Sequence, residues 1–233
     1  MTDAGGSMTD AGGSANSSVA GADNNANDPP RVLILACGAL AREIRDISRL
    51  HQFDNITLEC LPASLHNRPE NIGAAVRRRL TRSKGKYDRI LLGYADCGTS
   101  GELVDLCCEY QDSGTAIEMM PGAHCYQFFA GPRFDSMHDD DPTAFYLTDY
   151  LVKHFERIVM VGLGIEAHPE LRDMYFGNYT KLVYLAQTND PVLDEKARSA
   201  ADRLGLAFDR LSTGYGELES RIFEIAQKQT APL

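Results

Sequence analysis

The sequence predicts an α/β protein, a doubly wound fold with a mostly parallel sheet and helices on both faces. From residue 31 onward, short apolar runs alternate with segments whose apolar residues recur every three or four positions. Most of the apolar runs are continuous, which is typical of parallel strands covered on both faces. In such folds the ligand site lies at the carboxyl ends of the strands.

Seven short apolar runs are predicted to be strands. They are residues 31–36, 56–61, 89–95, 116–120, 157–161, 182–187 and 206–210. Helices are expected between them, because apolar stripes recur at helical spacing. The stripes are Leu40, Ile44 and Ile47; Ile72, Val76 and Leu80; Leu193, Ala197, Ala200 and Leu204; and Leu218, Ile222 and Ile225. Pro142, Pro169 and Pro191 are expected at helix starts, and Gly205 at a helix end.

Residues 1–30 are expected to form a disordered tail, and residues 31–233 a single α/β domain. The tail has no lysine, arginine or aromatic residue and opens with the heptamer MTDAGGS written twice. Such a segment buries too little apolar surface to offset the entropy cost of ordering. We interpret the repeat as a duplicated translation start without a function of its own.

The composition predicts a soluble, acidic protein of the cytoplasm. The 33 acidic and 23 basic side chains leave a formal charge of −10, which disfavours nucleic-acid binding. No stretch approaches the roughly 20 apolar residues of a membrane span, and no signal peptide is evident. Six cysteines in 233 residues are too few for a disulfide scaffold. The basic cluster Arg77, Arg78, Arg79 and Arg82 is interpreted as the outer face of a helix, with docking of an acidic partner as the alternative.

Three cysteines share one local context, the junction between a strand and a helix start. Cys37 ends VLILAC, Cys97 follows ILLGYAD, and Cys125 follows IEMMPGAH. If these strands are parallel, the three thiols lie at one edge of the sheet. A helix N-terminus carries partial positive charge, so we expect it to favour the metal-binding thiolate. Three thiolates with His124 beside them suit either zinc or an iron–sulfur cluster, while packed, structural thiols are the alternative.

The blocks ACGALAREI, LLGYADCGT, MPGAHCYQF and GNYTKLVYLAQT resemble a conserved prokaryotic family of unknown function. The resemblance covers about residues 31–190. It implies a neighbourhood of corrinoid-dependent methyltransferases, because the genes of the family often lie beside theirs. This chain departs from the family pattern at Ala95-Asp96, and it has no acidic residue between His124 and Cys125.

Two other patterns are interpreted as structural. Residues 162–167 (GLGIEA) resemble a dinucleotide fingerprint, but the next predicted strand ends without the acidic residue that binds ribose, so a tight turn is favoured. Residues 138–141 (HDDD) are interpreted as a solvated acidic loop rather than a metal site.

The leading hypothesis is therefore a metal-binding protein that serves corrinoid-linked methyl transfer or one-carbon metabolism. Cys37, Cys97 and Cys125 would be the metal ligands, and His124 a fourth ligand or an acid–base catalyst. A non-catalytic accessory protein that binds a small ligand or a corrinoid-protein partner is the alternative. A third hypothesis makes Cys125 a nucleophile beside His124, without a metal.

Overall fold

The computed structural model describes residues 29–111 and 116–227, so most of the predicted tail lies outside the described residues. The strands are β1 Val32–Cys37, β2 Ile56–Leu61, β3 Arg89–Gly93, β4 Ala116–Met119, β5 Ala144–Thr148, β6 Lys181–Ala186 and β7 Ala207–Ser212. The helices are α1 Ala41–Leu50, α2 Ile72–Ser83, α3 Glu102–Gln111, α4 Tyr126–Ala130, α5 Pro132–Asp140, α6 Asp149–Lys153, α7 Leu171–Phe176, α8 Pro191–Leu204 and α9 Gly216–Ala226. The predicted alternation of strands and helices is confirmed.

The strands form two sheets, and every pairing in them is parallel. The first sheet has the order β2-β1-β3-β4, and the second has the order β5-β6-β7. In the first sheet Val32 of β1 pairs with Ile56 on one side and Arg89 on the other. The α/β class and the parallel strands are thus as predicted, but the strands divide between two sheets.

One predicted strand is wrong. Residues 157–161 belong to a π-helical segment, Glu156–Val161. Its apolar residues face different ways, because Val159 and Met160 are buried whereas Val161 is 54% exposed. A short apolar run does not distinguish a buried strand from a buried helical turn.

Strand β5 was not predicted, because the Asp141-Pro142 pair that precedes it resembles a helix start. In the structure Asp141 closes a turn, accepting hydrogen bonds from the backbone nitrogen and the hydroxyl of Thr143 at 3.1 and 2.6 Å. The chain then enters the second sheet at Ala144. Asp141 therefore lies in the turn before a strand and not at the start of a helix.

Helices do begin at or soon after the other two prolines that were expected at helix starts, Pro191 and Pro169. Asp190 caps α8 by accepting a hydrogen bond from the backbone nitrogen of Val192 at 2.9 Å, and Gly205 ends the helix with a φ of 72°. After Pro169, helix α7 begins two residues later than predicted, at Leu171.

The last helix, α9, completes the core of the first sheet. Its apolar stripe of Leu218, Ile222 and Ile225 is buried in the same cluster as Val32 and Leu91. Two polar side chains of the first sheet region bind the C-terminal end of α9. Arg89 donates a hydrogen bond to the carbonyl of Ile225 at 3.0 Å, and Asn55 donates one to the carbonyl of Ala226 at 2.9 Å. The chain therefore returns from the second sheet to finish the first.

The basic cluster lies on the outer side of α2, where Arg77, Arg78 and Arg82 are exposed. Arg77 pairs with Glu109, and Arg79 pairs with Glu59, at 2.5 and 3.3 Å. Within residues 29–111 and 116–227, no helix is both long and apolar enough to cross a membrane.

Candidate functional site

Strand ends from both sheets meet at one cavity of about 380 Å³. Cys37 and Gly93 end β1 and β3, Pro62 follows β2, and Thr148 ends β5; all four line the cavity. The ligand site of an α/β protein is expected at these carboxyl ends. The cavity therefore lies where the topology of the sheets predicts a ligand-binding site.

Cys37, Cys97 and Cys125 all line this cavity, and all three are half-buried. Cys37 leads into a single 3₁₀ turn before α1, and Cys125 immediately precedes α4. The backbone nitrogen of Cys97 donates to the carbonyl of Ala123 at 3.1 Å, which joins the loops after β3 and β4. The structure thus places the three thiols at the same cavity, whereas a shared metal site stays a prediction.

The expected preference for thiolate is wrong for the metal-free protein. Burial raises the pKa of all three thiols, and it raises that of Cys97 to about 11. The pKa of Cys125 is raised further by the negative charges that Cys97 and Cys37 would carry as thiolates. Loss of hydration in this cavity thus favours the thiol over the thiolate when no cation is bound.

Cys97 has a backbone conformation that is unfavourable for a residue with a side chain. Its φ is 51°, and the following Gly98 has a φ of 78°. The turn is held by Asp96, whose carboxylate accepts a hydrogen bond from the backbone nitrogen of Gly101 at 2.8 Å, and this bond is the main cause of its lowered pKa. A positive φ costs a non-glycine residue about 1 kcal/mol, and such strain concentrates at functional sites.

Tyr94 also lines the cavity, and it was not predicted as a site residue. The residue is 2% exposed, and its hydroxyl finds no hydrogen-bond partner among the described residues. Burial raises the pKa of Tyr94, and the nearby sulfurs of Cys37 and Cys97 raise it further. An unpartnered buried hydroxyl costs about 1–3 kcal/mol, so this group is expected to gain a partner when the site is occupied. The signal available in the sequence was its place between β3 and Cys97.

His124 is exposed and does not line the cavity. Its ring lies beside those of Tyr126 and Phe134, each with centroids 6.5 Å away. Within the described part of the chain, no hydrogen bond joins its imidazole to Cys125. The structure therefore brings together the three predicted cysteines but leaves the predicted histidine outside.

A different histidine lines the cavity. His66 lies in a short 3₁₀ helix, Ala63–Asn67, that follows β2, and the protein around it lowers its pKa by desolvation, with a smaller contribution from His124. Its side chain is nevertheless exposed, so it lies where the cavity opens to solvent. Its position just after a strand could have identified it.

Arg157 and Tyr150 line the cavity from the second sheet region. The guanidinium of Arg157 donates to the hydroxyl of Tyr150 at 3.4 Å. Arg157 was missed because residues 157–161 were assigned to a strand.

In residues 29–111 and 116–227, no group of three or more His, Cys, Asp or Glu side chains is arranged to hold a metal ion. The three thiols share a cavity but do not form a ready-made site for a single ion. The GLGIEA segment follows a π-helical segment rather than a strand, which removes the context that a dinucleotide fingerprint requires.

A family model described as "Protein of unknown function (DUF1638)" matches residues 60–222. The chain belongs to this family. The DUF1638 match includes Cys97 and Cys125 and begins after Cys37. No curated protein and no solved structure matches the chain significantly.

Proposed function

We propose that this DUF1638 protein is a metalloprotein that holds an iron–sulfur cluster through Cys37, Cys97 and Cys125. The observation that carries the proposal is that three thiols from three separate strand-end loops line one cavity. They are more than 25 residues apart along the chain, so only the tertiary fold brings them together.

The chemistry of the cavity fits a thiolate-bound centre. A bound cation would lower the pKa of the three thiols and offset the repulsion between their thiolate charges. A thiolate is also a better hydrogen-bond acceptor than a thiol, so the hydroxyl of Tyr94 would then have an acceptor near it. The strain at Cys97 is the third support, because glycine would fit that backbone better than the cysteine present there.

A cluster is preferred to zinc on the spacing of ligands. Three thiolates on one zinc ion lie within about 4 Å of one another, whereas thiolates on a cubane cluster lie about 6 to 7 Å apart. Thiols from three separate strand-end loops around a cavity of about 380 Å³ leave room for the wider spacing of a cluster. Zinc is the alternative metal.

A cluster held by Cys37, Cys97 and Cys125 would have one iron without a protein ligand, which would supply a Lewis acid for a small substrate. The protein's own groups have simpler tasks. The three cysteines would hold the centre, and the hydroxyl of Tyr94 would be available to donate a hydrogen bond to a thiolate sulfur. His66, whose pKa is lowered by desolvation, would be the proton acceptor at the mouth of the cavity. We further propose that the substrate belongs to corrinoid-linked methyl transfer or one-carbon metabolism, which the family resemblance alone supports.

The second candidate is a non-catalytic protein that binds a small ligand in the same cavity or contacts a corrinoid-protein partner. The protonated thiols favour it, because neutral cysteines serve as small apolar lining groups.

Metal analysis of protein purified without oxygen separates the two candidates. The first predicts iron and acid-labile sulfide in stoichiometric amounts, an absorption band of a cluster, and loss of both in Cys97→Ala. Cys108→Ala is the matched control, because Cys108 is exposed on α3 and does not line the cavity. Stoichiometric zinc that depends on Cys97 would replace the cluster by zinc. If neither metal binds after reconstitution, the second candidate stands.

A further inference from the structure

The cavity has an unusual charge for a protein of this composition. The chain carries 33 acidic side chains and 23 basic ones. Yet among the described residues that line the cavity there is no aspartate or glutamate. Arg157 is the one lining residue there with a permanent charge. The described lining is therefore free of acidic side chains, although Glu43 and Asp96 lie close enough to affect Cys125 and Cys97.

Arg157 lies at the opening and has spare hydrogen-bonding capacity. Its side chain is exposed, and its hydrogen bond to the hydroxyl of Tyr150, at 3.4 Å, is long. No ion pair of Arg157 occurs within the part of the chain that the structure describes. A guanidinium has five N–H donors in a planar fork that matches a carboxylate, so most of these donors are available to a ligand.

The rest of the cavity is suited to an apolar or sulfur-containing body. Leu40, Ile72 and Phe129 line it and are buried, and the three thiols complete the lining. Its volume of about 380 Å³ lies at the lower end of the range for ligand pockets, roughly 300–1,000 Å³. The cavity therefore has room for a small molecule and one polar anchor at its mouth.

We infer that the substrate of this cavity is a small monocarboxylate, whose carboxylate binds Arg157 and Tyr150 while its apolar end faces the thiols. This inference rests on the proposed function for the site itself and names the class of substrate. A phosphate ester is disfavoured, because phosphate sites usually combine several cationic or backbone N–H donors, whereas Arg157 is the single permanent cation in the described lining.

The test is calorimetric titration of the full chain with butanoate, in the metal-loaded and the metal-free forms. Butanamide, butylammonium and butyl phosphate are the matched probes. We expect butanoate to bind at least about 10-fold more tightly than butanamide and butylammonium, and more tightly than butyl phosphate. Arg157→Gln should weaken butanoate binding by about 10-fold or more, Arg157→Lys should weaken it less, and Arg133→Gln should leave it unchanged. Arg133 is exposed on α5 and is not among the residues that line the cavity.

The outcomes separate this inference from the proposed metal centre. Arginine-dependent binding to metal-free protein supports the inference even if no metal is ever found. Equal affinity for butanamide, tighter binding of butyl phosphate, an unaffected Arg157→Gln variant, or no binding of butanoate to either form would overturn it. Binding that requires the metal and ignores Arg157 would also overturn it, because the metal would then be the anchor.

Discussion

The hydroxyl of Tyr184 donates a hydrogen bond to the carboxylate of Asp149 over 2.7 Å, and both side chains are buried. The same carboxylate accepts from the backbone nitrogen of Gln187 at 2.9 Å and from the hydroxyl of Thr188 at 2.6 Å. Asp149 directly follows Thr148, which lines the cavity. This buried network therefore fixes the part of the second sheet region that reaches the candidate site.

Tyr184→Phe is expected to lower the free energy of unfolding by about 1–2 kcal/mol, because it leaves a buried carboxylate with one donor fewer. Urea denaturation measures this effect. Tyr175→Phe is the control, since Tyr175 is 42% exposed and donates no hydrogen bond within the described structure. Equal unfolding midpoints for the two variants would contradict the proposed contribution of this hydrogen-bond network to stability.

Glu43 is expected to make stability fall as pH rises. The residue is 3% exposed, one of its carboxylate oxygens has no partner within the described residues, and burial raises its pKa to about 7. The negative charge of Asp149 adds to the shift. Between the unfolded pKa, about 4.3, and pH 7, the folded state holds a proton that the unfolded state releases.

Glu43→Gln removes this titration. The free energy of unfolding of the wild type, relative to that of the variant, should therefore fall by about 3 kcal/mol between pH 4.5 and 8. Chemical denaturation at several pH values measures it. Glu195→Gln is the exposed control and should keep a constant difference from the wild type. A constant difference for Glu43→Gln as well would show that Glu43 is ionised throughout.

Substitution of Cys97 should show the strain in its backbone. At a φ of 51°, Cys97→Gly is expected to be more stable than Cys97→Ala by about 0.5–1 kcal/mol in the metal-free protein. Thermal unfolding of both variants measures the difference. In β2 the order should reverse, with Cys60→Gly less stable than Cys60→Ala, because glycine weakens a strand interior. If the glycine variant is less stable than the alanine variant at both positions, strain at Cys97 is ruled out.

Alkylation by iodoacetamide should separate the buried thiols from the exposed one. At pH 7.5 we expect Cys108 to react before Cys97. Cys108 is exposed, whereas burial raises the pKa of Cys97 to about 11. The rate at Cys97 should rise about tenfold for each pH unit up to pH 10, because thiolate is the reactive form. Mass spectrometry of peptides from metal-free protein follows each site. Rapid labelling of Cys125 at neutral pH would instead revive the hypothesis of a nucleophilic cysteine.

The elements with strong periodicity were predictable from the sequence. The stripe of Ile72, Val76 and Leu80 and that of Leu218, Ile222 and Ile225 are buried as predicted. Strand β2 has the predicted bounds, Ile56–Leu61. These segments are long or bounded by clear turns, so local pattern and tertiary packing agree.

The errors arose where one short pattern fits two structures. The run Arg157–Val161 has strand composition, but it lies in a π-helical segment whose Val159 and Met160 pack in the core of the second sheet region. The Asp141-Pro142 pair is equally compatible with a turn before a strand. The position of the three cysteines was predictable from topology, because parallel strands end at one edge. Their raised pKa values were not, since the cavity that they line is also lined by residues from the second sheet region, such as Thr148 and Tyr150.

The return of α9 to the first sheet has a consequence for synthesis of the chain. Leu218, Ile222 and Ile225 reach the cluster around Val32 only after translation has passed the second sheet. Until α9 has been synthesised, this face of the first sheet is therefore covered only in part, by Ile44 and Ile47 of α1 and Phe128 of α4. Nascent chains that stall before residue 216 are accordingly the species in which chaperone binding should be strongest.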